Sequence, residues 1–231
     1  MRALIQPESL WRTVDAMQDA VFRGDRIEAS EAEAAARWIA SRQGLPGAYG
    51  GTFAGFEDER EEGIIVFTGE RITSASARHI LGEETCRTLR RLGVRDRNVS
   101  DALARADAGL MERLARAARD PRNTNPGLYC CGKCSVGMWR NLLSGGLDRQ
   151  EERLAKGVRR LREVRNGGGE WAKFPFWYTV LALAEMDFAE AAEELRYARE
   201  RIAKALRRRG PGVYAGRRRE LATRLARAVS G

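Results

Sequence analysis

Three cysteines crowd the stretch Tyr129-Cys130-Cys131-Gly132-Lys133-Cys134, and the chain has one histidine, His79. Thiolates and neutral imidazole are the donors zinc prefers, as four protein ligands or as three plus an open position. If a helix starts here, Cys130 and Cys134 are i, i+4 neighbours and Cys131 and Cys134 are i, i+3, so one face gathers the thiols. The positive end of a helix favours thiolate, and Lys133 adds to that field. Cys130, Cys131, Cys134 and His79 are therefore a candidate metal set, with zinc as its ion. The same thiols also suit a reactive nucleophile, or plain packing, because cysteine is small and readily buried.

A second group is aromatic. Trp171, Phe174, Phe176, Trp177 and Tyr178 lie within eight positions, with Lys173 among them. Trp171 and Phe174 read as core. Trp177 and Tyr178 either join that core or wall an apolar pocket, beside which Lys133 and Lys173 would meet an anionic head group. The stretch from Thr52 to Arg71 is rich in glycine and acids, but their spacing matches no cation loop, so it reads as a solvated insertion.

A third group is basic. The 231 residues carry a formal charge of +9. Residues 196–231 hold twelve Arg or Lys against Glu200 and Glu220, so the excess belongs to the C-terminal end. Arg207-Arg208-Arg209 suits a helix C-terminus, whereas Arg217-Arg218-Arg219 opens a helix against its dipole. That conflict predicts an anion, a phosphate or an acidic surface facing Arg217, Arg218 and Arg219. Membrane-surface contact through this basic, amphipathic last helix is a further expectation. Nucleic acid is not expected, because no aromatic-interleaved basic face, helix-turn-helix or zinc-finger spacing is present.

The elements that must position these groups show a repeat. Gln43-Gly47-Tyr49, Asn123-Gly127-Tyr129, Arg165-Gly169-Trp171 and Arg208-Gly212-Tyr214 share one spacing: polar residue, glycine four later, aromatic two after that. Each lies between helical patterns. Outer helices are expected near 31–42, 99–119, 149–165 and 189–209, and inner helices near 72–92, 130–143, 173–186 and 216–229. An extra helix covers Glu8–Phe22. Ile64-Ile65-Val66-Phe67, inside the insertion, reads as a short extended segment. Each hairpin is too small to bury its apolar face alone, so the units must stack.

These loops resemble the repeat of terpene cyclases and protein prenyltransferase β-subunits, in which Gln, Gly and Trp stand at this spacing. Arg165-Gly169-Trp171, leading into Phe174-Pro175-Phe176-Trp177, is the closest match. The resemblance implies an all-α, α/α toroid-like domain over 1–231, with four hairpins forming a partial toroid or horseshoe. It also implies a pocket at the N-terminal ends of the inner helices for an apolar or isoprenoid-like ligand. The acid motif Asp-x-Asp-Asp of the cyclases is absent, and Cys130 stands where a zinc-binding prenyltransferase has His. Whether the chain is an enzyme stays open, and no catalytic residue is assigned. The alternative is a non-catalytic module that pairs with another protein through its open end or its basic C-terminal repeat.

Composition bounds the rest. Hydrophobic residues at 43% and charged residues at 32% describe a globular chain. No apolar run reaches the length of a membrane span. The first residues lack the pattern of a signal peptide, and four cysteines do not make a disulfide framework. A reducing cytoplasm is expected.

Overall fold

A computed structural model describes residues 3–120, 129–207 and 210–230. The chain is all-α: eleven helices lie among the described residues, with one two-stranded ribbon. Asn123 and Gly127 of the second repeat loop and Arg208 of the fourth lie outside the described residues.

Helix α1 (Leu10–Arg23) starts where expected. Ser9 caps it by accepting from the Arg12 amide, and Gly24 closes it in the left-handed conformation. Helix α2 (Ala29–Ala40) leads into the first repeat loop. In the insertion, α3 (Glu57–Glu61) precedes a hairpin in which β1 (Ile64–Ile65) pairs antiparallel with β2 (Arg71–Ile72). This segment is not a solvated loop throughout. Glu59 is buried and accepts from the Ser9 hydroxyl at 2.6 Å, the Trp11 amide at 2.6 Å and the Phe56 amide at 2.8 Å. A carboxylate against the free amides at the start of α1 is the arrangement a helix N-terminus favours.

Next come α4 (Ala75–Leu92), α5 (Arg97–Arg119, capped by Asp96), α6 (Gly132–Leu142), α7 (Gln150–Glu163) and α8 (Phe176–Ala184). The expected fourth outer helix is broken at Ala198 into α9 (Ala189–Tyr197) and α10 (Arg199–Arg207), and α11 (Val213–Ser230) ends the described chain. The inner helices pack in series: α4 on α6, α6 on α8, α8 on α11. α1 packs on α4, and α11 returns to α1 through Arg217, so the order of neighbours closes on itself. The other helices lie outside this series, with α2 on α5 and α7 on α9.

The repeat loops show why their residues recur. Gly47, Gly169 and Gly212 all have positive φ (92°, 80° and 101°), where a side chain is strained. Gln43 donates to the Gly51 carbonyl at 2.8 Å and accepts from Arg105 of α5 at 2.6 Å. In the third loop Arg165 replaces that glutamine. It forks onto Glu194 of α9 at 2.7 and 3.0 Å, and the Trp171 indole donates to the same buried carboxylate at 2.9 Å.

The space between α4, α6 and α8 is filled by charge. Arg140 of α6 pairs with Glu84 of α4 and, at 3.1 Å, with Glu185 at the end of α8. Arg87 reaches Glu185 at 2.6 Å, and the Tyr178 hydroxyl donates to Glu84. Burial opposes both charges, but Glu185 and Glu84 outweigh it for Arg140, and Arg140 and Arg87 hold the Glu185 carboxyl down at about 2. A cavity of about 430 Å³, open to solvent and lined partly by Met17, Phe22, Arg87, Arg140 and Leu181, adjoins this cluster.

Candidate functional site

The cysteine cluster is assembled by two loops and two helices. The turn Tyr49–Gly51 rests on α5, where Gly109 is required: a Cβ there would lie 1.8 Å from the Gly50 carbonyl oxygen. That approach lays the Tyr49 ring over His79 of α4, centroids 3.6 Å apart. From the second loop, Tyr129 donates its hydroxyl to that of Tyr49 at 2.6 Å, so the aromatics of two repeat loops meet above α4. Gly132, the first residue of α6, lies under the third loop; a Cβ would approach the Lys173 carbonyl oxygen to 2.5 Å. These contacts fix the start of α6, and with it the thiols.

Donor atoms of His79, Cys130 and Cys134 lie within 4.8 Å of one another. Cys131, the N-cap of α6, is half-buried, and its Sγ is 3.6 Å from that of Cys134 and 3.7 Å from the Ser76 hydroxyl. Cys130 is exposed and Cys134 fully buried. Of the four residues expected to form a metal set, His79, Cys130 and Cys134 are brought within reach of one another, and Cys131 lies beside Cys134. Cys86 stays buried further along α4.

The electrostatics of the cluster are unusual for buried groups. His79 is only 8% exposed, its Nδ1 has no hydrogen-bond partner, and its pKa is lowered to about 4 by burial, with Arg78 and Arg113 assisting. It is therefore a neutral imidazole with a free lone pair or an unused N–H at neutral pH. The hydrogen bond from Cys134 and the amides at the start of α6 lower the Cys131 thiol to about 5, while burial raises Cys130. Four residues after His79, burial lifts Glu83 to about 8, against its hydrogen bond from Asn141, so this carboxyl is protonated below that pH. A divalent metal would supply the partner that His79 Nδ1 lacks, and this donor set suits zinc.

The other expected ligand-binding residues divide into two groups. Lys133 and Lys173 are exposed, and Lys173 takes a positive φ of 68°. Trp177, Arg218 and Arg219 line one cleft of about 740 Å³ with Phe176, Arg201 and Lys204. Tyr178 and Arg217 are not presented to a ligand. Tyr178 is fully buried with its hydroxyl on Glu84. Arg217 is 4% exposed and forks onto Asp15 at 2.7 and 2.9 Å, with Asp19 at 3.0 Å and the Phe67 carbonyl at 3.1 Å. The acidic surface that makes this arginine tolerable at the start of α11 is the chain's own first helix. Arg218 donates to the Thr68 carbonyl at 2.5 Å and lies 3.9 Å from Glu70, which itself accepts from the Trp177 and Tyr178 amides at the start of α8.

Sequence reasoning missed that Tyr49 covers His79, and it missed the ionic network among α4, α6 and α8. The i, i+3 spacing of Glu84 and Arg87 was visible, but their partners are 45 or more residues away.

In the last helix Leu221 and Ala222 are buried. No described helix is long and apolar enough to cross one. A groove of about 1280 Å³ between α9–α10 and α11 is lined by Leu195, Ile202, Leu206 and Leu225, of which Leu206 is exposed. Compared with protein-family models, curated proteins and solved structures, the chain shows no match, so the likeness to terpene cyclases and prenyltransferases stands on the loop residues alone.

Proposed function

We propose that this chain is a zinc-binding helical-repeat protein, with His79, Cys130 and Cys134 as ligands and Cys131 beside the fourth position. One observation carries the reading: a buried imidazole nitrogen without a hydrogen-bond partner lies within 4.8 Å of the Cys130 and Cys134 thiols. Burying a polar atom unpaired costs about 1–3 kcal/mol, and metal ligation removes that cost. The frame we propose is toroid-like. It is supported by the cyclic order of α1, α4, α6, α8 and α11 as neighbours and by the left-handed glycines at equivalent loop positions.

Zinc with three protein ligands keeps a coordination position for water, thiolate or substrate, and acts there as a Lewis acid. In this chain Tyr49 covers His79 and the Tyr129–Tyr49 hydrogen bond fixes that cover, so the imidazole is held in one orientation. An isoprenoid-like ligand has less support, because buried ion pairs occupy the middle of the inner helices.

The test is metal analysis of the purified chain, followed by cobalt substitution. One metal per chain with thiolate-to-cobalt charge-transfer bands, lost in Cys134→Ser and kept in Cys86→Ser, is the expected result. A chain that takes up no metal after reduction sinks the reading.

A second reading has its own observation. The cleft holding Arg201, Lys204, Arg218, Arg219 and Trp177 carries four cationic side chains and two aromatic rings, which suits a small anionic ligand. The alternative of a protein-interaction module rests on the apolar groove between α9–α10 and α11, set in the most basic part of the chain.

A further inference from the structure

We infer that Cys131 and Cys134 form a thiol–disulfide exchange pair, Cys131 taking up disulfide substrates and Cys134 resolving them. The two sulfurs are 3.6 Å apart across the first turn of α6. Their environments differ in the way such a pair requires. Cys131 sits on the N-cap, half-buried and open to an incoming sulfur, while Cys134 is wholly buried behind it. An attacking thiol must be accessible, and a resolving thiol works best where only the first sulfur can reach it. The Ser76 hydroxyl, 3.7 Å from Cys131 Sγ, is placed to donate to a thiolate there.

The substrate class is a disulfide, either of a small thiol such as glutathione or of an extended protein segment. The Cys131 thiolate attacks one sulfur of R–S–S–R; a Cys131–S–S–R bond forms and the first RS⁻ leaves. Cys134 then attacks the Cys131 sulfur, forms the intramolecular disulfide and releases the second RS⁻. The chain loses two electrons, the substrate gains them, and the two thiol protons end on the two released thiols. This inference goes beyond the metal reading and does not depend on it. Where both hold, they exclude one another in time, because Cys134 cannot ligate zinc as a thiolate while it is half of a disulfide.

The test uses the full chain, reduced, stripped of metal by a chelator and then equilibrated in glutathione buffers of increasing oxidised fraction. Peptide mapping is expected to find a Cys131–Cys134 disulfide in the wild type. Cys134→Ser should accumulate glutathione on Cys131, and Cys131→Ser should slow the reaction roughly tenfold or more. Wild-type mapping stands even if Cys134→Ser fails to fold. A disulfide that includes Cys130, glutathione found on Cys130 but not Cys131, or a pair that stays reduced in fully oxidised glutathione overturns the proposal. Metal uptake by the reduced chain, measured separately, distinguishes the two readings, because the exchange is followed only after the chelator has stripped any metal.

Discussion

Two polar clusters share helix α4 and obey different rules. Towards its C-terminal end, Glu84 and Arg87 join Arg140, Glu185 and Tyr178 in a network where every charge faces an opposite charge. Towards its N-terminal end, His79 meets Cys130 and Cys134, with Cys131 beside them, and the imidazole Nδ1 has no hydrogen-bond partner among the described residues. Both are buried, and both lie where inner helices meet. The first is balanced in charge, with Arg87 Nε the buried atom there that lacks a hydrogen-bond partner, so its work is to hold α4, α6 and α8 in register. The second is incomplete in itself, and incompleteness among groups that ligate metals and exchange electrons is what a site requires. Buried polarity alone does not mark function; unsatisfied buried polarity of the right chemistry does.

Breaking the balanced cluster should give the largest effect. Arg140→Met leaves Glu84 and Glu185 with Arg87 alone of their two shared partners and should cost about 3–5 kcal/mol in denaturant unfolding. It should leave zinc stoichiometry unchanged in whatever fraction stays folded. A cost under about 1 kcal/mol would show that the network is not what fixes the inner helices.

A second ion pair tests whether the closing contact belongs with the balanced class. Arg217→Ala removes the forked contact to Asp15 and the contact to Asp19, and should cost about 3 kcal/mol, well above an exposed pair. The surface pair Arg149–Glu152 supplies the reference, with Arg149→Ala expected within about 0.5 kcal/mol of wild type.

Between the two clusters lies Glu83, whose proton gives a pH signature. Its folded pKa of about 8 lies above the ordinary 4.5, so from pH 4.5 to 8 the folded chain holds a proton that the unfolded chain has released. Stability from this group therefore falls as pH rises through that window, by at most about 1.4 kcal/mol per unit. His79, lowered to about 4, acts the other way, and its contribution falls as pH drops from 6.5 to 4. Glu83→Gln should flatten the loss between pH 6.5 and 8 in unfolding curves; an unchanged slope would remove Glu83 as its source.

The incomplete cluster should respond least in stability and most in ligation. Without zinc, His79→Ala should change stability by about 1 kcal/mol or less, because an unpaired buried nitrogen is removed along with some packing. With zinc present at about a hundredfold its Kd, the wild type should gain about 2.7 kcal/mol and the variant nothing. If His79→Ala binds zinc like the wild type, the difference between the clusters has been misread.

The elements were largely legible. Helix α1, α5 and α7 lie within two residues of their expected bounds, because caps and apolar periodicity are local and act over one or two turns. The cysteine–histidine cluster was legible for a related reason. Three of its members sit within five residues, and the fourth is the chain's only histidine. The repeat motif also pointed to the loops that hold the site, since the left-handed glycine and buried aromatic are local demands.

What remained hidden was who meets whom. Nothing in the sequence near Arg217 names Asp15 and Asp19, about 200 residues earlier, and nothing near Tyr178 names Glu84. Local physics decided where helices begin, which faces are apolar and which residues carry thiol or imidazole chemistry. Tertiary structure alone decided that Tyr178 and Arg217 serve the frame, that Tyr49 covers His79, and that one polar cluster is balanced in charge while its neighbour leaves His79 Nδ1 without a hydrogen-bond partner. The reason is that satisfaction of a buried polar group depends on partners brought from distant hairpins, and spacing along the chain carries no record of them.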